Sequence, residues 1–190
     1  TAQAATRPII ARTGLVLVFN LHHRRPEAVD LHTSRRRVLP EVLLVGAQWV
    51  RRTDIVMTTG WTSFSVHFHP AGLHRLFHMS VRPFTNTIVD AVEVLGPSLE
   101  RLYRQVKAAA TPSAMHRLVE GYLLTLVADA APLHPVARAA FKMLDRHGAV
   151  SIADASRASG LGQRHFERRF VEQLGMPPKV YTRVARLDFV

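Results

Sequence analysis

Up to about residue 70 the chain carries short apolar runs with a repeat of two, at 15–21, 42–45, 55–57 and 64–69, separated by Gly, Pro, Asp and Thr. That pattern predicts a small sheet or open barrel. From Ala71 onward the repeat becomes helical: Leu73, Leu76 and Phe77, then Leu99, Leu102, Tyr103 and Val106, then Leu118, Tyr122, Leu123 and Leu126. Two helices, over 97–109 and 114–129, are expected to be apolar on one side. The stretch 130–135, rich in Ala and Pro, reads as a linker, and a further helix is expected over 136–146.

The next punctuation is denser. Ser151 followed by Asp154 forms a capping box, so a helix is expected from there to about Ser159, where Gly160 stops it. Leu161 drops back onto the apolar side, and a new helix opens near Gly162 or Gln163. In it Phe166 and Phe170 share one face, while Arg164, Glu167, Arg168 and Val171 follow the spacing of another. Gly175 and the pair Pro177-Pro178 end this helix and start a last one carrying Tyr181, Arg183, Arg186 and Leu187. The fold class is therefore α+β: a sheet or open-barrel domain with a helix pair over 1–131, then an all-α helix-turn-helix module over 132–190.

Charge narrows the partners. The chain holds 25 Lys+Arg against 14 Asp+Glu, a formal charge of +11 with pI near 11.4, and Lys107, Lys142 and Lys179 are its only lysines. Such a balance attracts phosphates at long range. The residues from Pro135 onward contribute +5 and the longer first part +6, so the excess is spread along the chain. The order of the motif, not the charge, carries the reading. An outward helix face with arginine suits a major groove, where Arg bonds bidentately to guanine and Glu accepts from cytosine.

The residues Gly160-Leu161-Gly162, Arg164-His165-Phe166-Glu167-Arg168-Arg169-Phe170, Gly175, Pro178-Lys179-Val180-Tyr181 and Arg186-Leu187 keep one register. Over 138–190 this resembles the first DNA-binding half of AraC-type transcriptional regulators. The resemblance implies double-stranded DNA as partner, base contacts from Arg164, Glu167 and Arg168, and phosphate contacts from Gln163 and Arg169. Gly162 stands where such proteins have Ser, a change that costs a few tenths of a kcal/mol at a helix start. Ala155 and Ser159 stand where leucines are common, which predicts thin packing under the first helix. A second helix-turn-helix, usual in that family, does not occur in these 190 residues, and residue 1 is Thr, so a piece of a longer protein is expected.

The first part is similar to the sensor domain that precedes many AraC-type DNA-binding regions, on Leu43-Leu44-Val45-Gly46-Ala47-Gln48, Phe68 to Gly72 with Leu76-Phe77, and Val94-Leu95-Gly96. The resemblance implies a small effector, and the helices over 97–109 and 114–129 either form the surface of a homodimer or cover the sheet. For the effector, Arg35, Arg36, Arg37, Arg51 and Arg52 suit an anion, since a guanidinium matches carboxylate or phosphate with two hydrogen bonds. Trp49 and Trp61 are placed to stack on a flat molecule. The set Arg35, Arg37, Trp49, Arg51 and Trp61 is thus the candidate effector site, against the alternative of a solvated charged loop.

Eleven histidines raise a rival chemistry. His67 and His69 alternate on a strand, and His74 and His78 sit four apart on the next helix, so a cupin-like domain holding zinc or iron is an alternative, as is a ligand-sensing dimerisation fragment. No carboxylate stands at metal-motif spacing, which favours ordinary histidines, and neither metal nor cofactor is expected. Cysteine is absent, which removes disulfides, thiolate metal sites and a Cys nucleophile. No nucleophile-elbow grouping, phosphate loop or close carboxylate pair occurs, so an enzyme is not expected. No apolar run reaches 18 residues and no leader pattern is present, which predicts a cytoplasmic protein without a membrane partner.

Overall fold

A computed structural model describes residues 4–187. Two four-stranded antiparallel sheets form its first part. One runs β1 (Ala4–Pro8), β6 (Thr53–Thr58), β3 (Glu27–Asp30), β4 (Arg36–Val38) in spatial order. The other runs β7 (Ser63–His67), β2 (Val16–Asn20), β5 (Val42–Val45), β8 (Ile88–Asp90). The α+β class is confirmed, with helices following the sheets.

The central strands depart from the expected alternation. Every residue of β2 and of β5 is buried, because both faces of their sheet are covered. Leu17, Phe19 and Leu44 face helices α2 (Ala91–Leu95), α3 (Ser98–Ala108) and α4 (Pro112–Val127), meeting Leu99, Leu102, Tyr103 and Val106. Val16, Val18, Leu43, Val45 and Ile88 face the other way, meeting Ala28 of β3 and Leu39 just after β4. A strand covered on both sides reads as a continuous apolar run. The side chain of Asn20 ties this wall to Trp61, whose Nε1 donates to Asn20 Oδ1 at 2.8 Å, while the Tyr103 hydroxyl donates to the Asn20 carbonyl at 3.0 Å.

Helical periodicity from residue 71 is interrupted. After α1 (Gly72–Phe77) and a 3-10 turn at Arg82–Phe84, β8 returns to pair with β5, Ile88 opposite Val45 and Asp90 opposite Leu43. Three residues are too few to display a repeat. Helix α4 starts two residues before the expected 114, because Pro112 occupies the first turn and Thr111 Oγ1 accepts from the Ala114 amide at 3.2 Å.

The last part holds α5 (Pro135–Asp145), α6 (Ile152–Ala158), α7 (Gln163–Leu174) and α8 (Pro178–Leu187) around a core of Phe166, Phe170, Tyr181, Met143 and Met176, all fully buried. Phe170 lies between Phe166, 5.5 Å away by ring centroid, and Tyr181, edge-on at 5.2 Å. The three rings are buried together, in the tilted and edge-on arrangements that aromatic pairs favour. Gly148 is fixed by close approach: its φ is +73°, and a Cβ there would sit 2.1 Å from the Thr182 carbonyl oxygen.

Candidate nucleic-acid interface

Ser151 Oγ accepts from the Asp154 amide at 3.3 Å and so caps α6, as expected. Gly160 takes φ +70° and turns the chain, Ser156 Oγ donates to the Leu161 carbonyl at 2.9 Å, and α7 opens at Gln163. The inner face of α7 is Phe166, Phe170, Gln173 and Leu174. That core fixes which side faces water. A cleft of about 270 Å³ between α5 and α6, lined by Arg138, Lys142, Val150, Ala155, Ala158 and Ser159, is the thin packing expected where leucines are missing.

On the outer face Gln163, Arg164, His165 and Arg168 are exposed and Glu167 is half-buried. Gln163 Nε2 donates to Glu167 Oε1 at 3.1 Å, which holds that carboxylate against the first turn of the helix. Arg164 and Arg168 stand one turn apart and bond to no described residue. Arg169 is committed differently. Its Nη1 reaches Glu172 Oε2 at 3.0 Å and its Nε donates to His165 Nε2 at 3.4 Å, on the side nearer the sheets. The five residues thus separate into an outward pair, a self-bonded Gln–Glu pair, and one flanking guanidinium.

The carboxyl end of α7 is docked. A helix leaves its last carbonyls without helical partners, and here residues 80–85 supply donors. The Val81 amide donates to the Glu172 carbonyl at 2.9 Å, Ser80 Oγ to the same oxygen at 3.3 Å, and Thr85 Oγ1 to the Gly175 carbonyl. Ala47 and Ala71 enter the core of the helical part, and the His69 ring lies 5.8 Å from Phe141. Nothing in the sequence pattern announces the hydrogen bonds of residues 80–85, since their acceptors are backbone oxygens.

The residues expected to hold an effector are not gathered. Arg51 makes two bonds to the buried Asp54, at 3.0 and 2.7 Å, which raise the affinity of that guanidinium for its proton. Arg37 Nη2 donates to the Ile88 carbonyl at 2.7 Å, Arg36 pairs with Glu27 at 3.4 Å, and Arg35 is exposed beside the turn that Asp30 closes. Trp49 packs toward the helical core, its amide donating to Asn86 Oδ1 at 2.9 Å. Arg51 lines a pocket of about 570 Å³ with Asp30, His32, Thr33 and Arg52, whereas Trp61 lines a separate cavity of about 280 Å³ between the two sheets. Its walls are apolar, from Val18, Leu39, Leu43 and Ile55, with Arg7, Arg12 and His67 among its polar lining. Arg7 and Arg12 escaped the sequence reading because they lie outside the apolar runs.

The four histidines of the metal alternative are not gathered into a set that could hold a metal ion. His69 lies against Phe141, His74 Nδ1 donates to the Met79 carbonyl at 2.7 Å, and His67 lines the cavity. Among the described residues no group of three or more His, Asp or Glu is placed to hold a metal ion. Among them, also, no helix is long and apolar enough to cross a membrane.

No family model matches the sequence, and no curated protein matches it. Among solved structures the chain is similar to ToxT from Vibrio cholerae O395 bound to (E)-4-(8-methylnaphthalen-1-yl)but-3-enoic acid. The identity is 6%, over 97% of this chain and 95% of that one, with a TM-score of 0.27, a likeness too slight to bear on function.

Proposed function

We propose that the chain is a DNA-binding transcription regulator that lays α7 in a major groove. The observation that carries this is the exposed pair Arg164 and Arg168, one turn apart on a helix whose opposite face is fixed by Phe166 and Phe170. Guanidiniums so placed bond bidentately to guanine O6 and N7, and the Glu167 carboxylate accepts from cytosine N4. Gln163 and Arg169 contact phosphates; the Glu172 partner of Arg169 is itself partly exposed and is exchanged for one. Arg164→Ala and Arg168→Ala are each expected to lose about 1–3 kcal/mol of binding and to relax preference at one base position. Arg169→Ala is expected to weaken all sequences alike and lower the salt slope. Titration against matched and scrambled duplexes at two salt concentrations separates these outcomes; identical behaviour of all three variants removes the groove assignment.

The cavity between the sheets supports a small effector with an apolar body and an anionic group, the first against Trp61 and Leu43, the second toward Arg7, Arg12 and His67. Mass spectrometry of molecules that co-purify with the protein tests that class. Exposed Leu124 and Val127 on α4 support a homodimer through this helix. Leu124→Glu is then expected to convert dimer to monomer in sedimentation.

A further inference from the structure

Residues 80–87 are held from two sides. On one they bond to the carboxyl end of α7, the Val81 amide to the Glu172 carbonyl at 2.9 Å and Thr85 Oγ1 to the Gly175 carbonyl. On the other they are laced to residues 46–50. The Gly46 amide donates to the Thr87 carbonyl at 3.1 Å, the Asn86 amide to the Ala47 carbonyl at 2.9 Å, and the Trp49 and Val50 amides to Asn86 Oδ1 at 2.9 and 3.1 Å. A Cβ on Gly46 would sit 1.7 Å from the Phe84 carbonyl oxygen, so these two segments meet main chain against main chain.

Gln48 stands at the centre of that lacing. It is buried, and its Nε2 donates to the Gly46 carbonyl at 3.2 Å and to the Thr87 carbonyl at 3.3 Å. Its backbone exchanges two hydrogen bonds with that of Arg12, at 2.8 and 3.1 Å, in a one-residue antiparallel bridge. The Arg12 side chain lines the cavity between the sheets. Ala11, Ala47 and Trp49, the chain neighbours of the bridged pair, pack toward the helical core instead. From the cavity wall to α7 the bonds between segments therefore run Arg12 to Gln48, Gln48 to Thr87 and, two residues back along the chain, Thr85 to Gly175.

We propose, resting on the reading of this cavity as an effector site, that the Arg12–Gln48 bridge couples its occupancy to the docking of α7. A ligand shifts a local equilibrium only where it favours one form over the other. Here the bridge defines the form: the Arg12 guanidinium borders the cavity while its backbone is paired with Gln48, so an anion held by that guanidinium favours the paired form. Gln48 then presents Nε2 to Thr87, which keeps residues 85–87 in place to hold Gly175. Occupancy tightens the carboxyl end of α7 and, because that helix is stiff, steadies the arginines on its outer face.

The Val81 amide is the reporter of docking. Its hydrogen exchange is measured in the full chain at constant pH, with the β2 amides as internal reference. The ligand used is para-tert-butylbenzoate, an apolar body with one carboxylate, and its entry is followed at the Trp61 indole N–H, which donates to Asn20 Oδ1. At saturation Val81 protection is expected to rise about fivefold or more. Gln48→Leu removes the Nε2 donor at similar volume, and Asn86→Gly removes the Oδ1 acceptor while keeping the positive φ of that position. Without ligand both variants are expected to show lower Val81 protection than the parent, and in Gln48→Leu saturation at Trp61 is expected to leave it unchanged. Saturation at Trp61 with constant Val81 protection in the parent overturns the coupling, as does a parent-like response in Gln48→Leu. If Trp61 does not respond to the carboxylate, the effector reading fails and the ligand-free variants decide the coupling: lower Val81 protection in both supports it, and parent-like protection in either overturns it.

Discussion

At its amino end α7 offers water two guanidiniums, Arg164 and Arg168, that bond to no described residue, whereas at its carboxyl end the carbonyls of Glu172 and Gly175 are bonded to residues 80–85. One helix thus has an end available to a partner and an end held by its own chain. The two needs are compatible because a helix is stiff over its 12 residues, so an anchor at one end sets the direction of the other. The difference teaches that exposure and mobility are separate properties: the arginines are open to solvent while the backbone beneath them is fixed by Phe166 and Phe170.

The strongest way to break this contrast is Phe170→Ala, which removes the ring between Phe166 and Tyr181. A loss of about 3–5 kcal/mol is expected in denaturant unfolding, taking both ends of α7 with it. A loss below about 1 kcal/mol shows that the helical core is not what orients the arginines. Thr85→Val is gentler and one-sided. Deleting the donor to the Gly175 carbonyl is expected to cost about 1 kcal/mol of stability while leaving duplex affinity close to the parent's. Affinity falling as far as it does in Arg164→Ala joins the two ends that are separate here. Smallest is Ser159→Leu, which fills the cleft between α5 and α6: thermal unfolding is expected to report a gain of about 0.5–1 kcal/mol, with Val81 exchange unchanged.

Legibility followed the density of punctuation. Ser151, Gly160, Gly175 and Pro178 mark ends, so α6, α7 and α8 were placed within a residue or two of where they lie. The short strands β3, β4 and β8 were not, being three or four residues long and flanked by polar or charged side chains; β4 itself carries Arg36 and Arg37 at a sheet edge. The outward face of α7 was readable because helical spacing puts Phe166 and Phe170 opposite Arg164 and Arg168. The cavity was not, because its wall is assembled from residues as far apart in the chain as Arg7 and Ile88 and needs the two sheets to be stacked first. Trp49 and Trp61 show the limit plainly: near each other in sequence, they end in different cores, one against the helical module and one between the sheets.

The sheet that is covered on both faces has a mechanical consequence. Leu17 and Val18 are neighbours in the chain yet press into different compartments, one shared with α3 and one with the cavity. Close-packed interiors yield little volume. Whatever swells the space around Trp61 therefore bows this partition toward Leu99 and Val106, and the two compartments behave as chambers on either side of a single diaphragm.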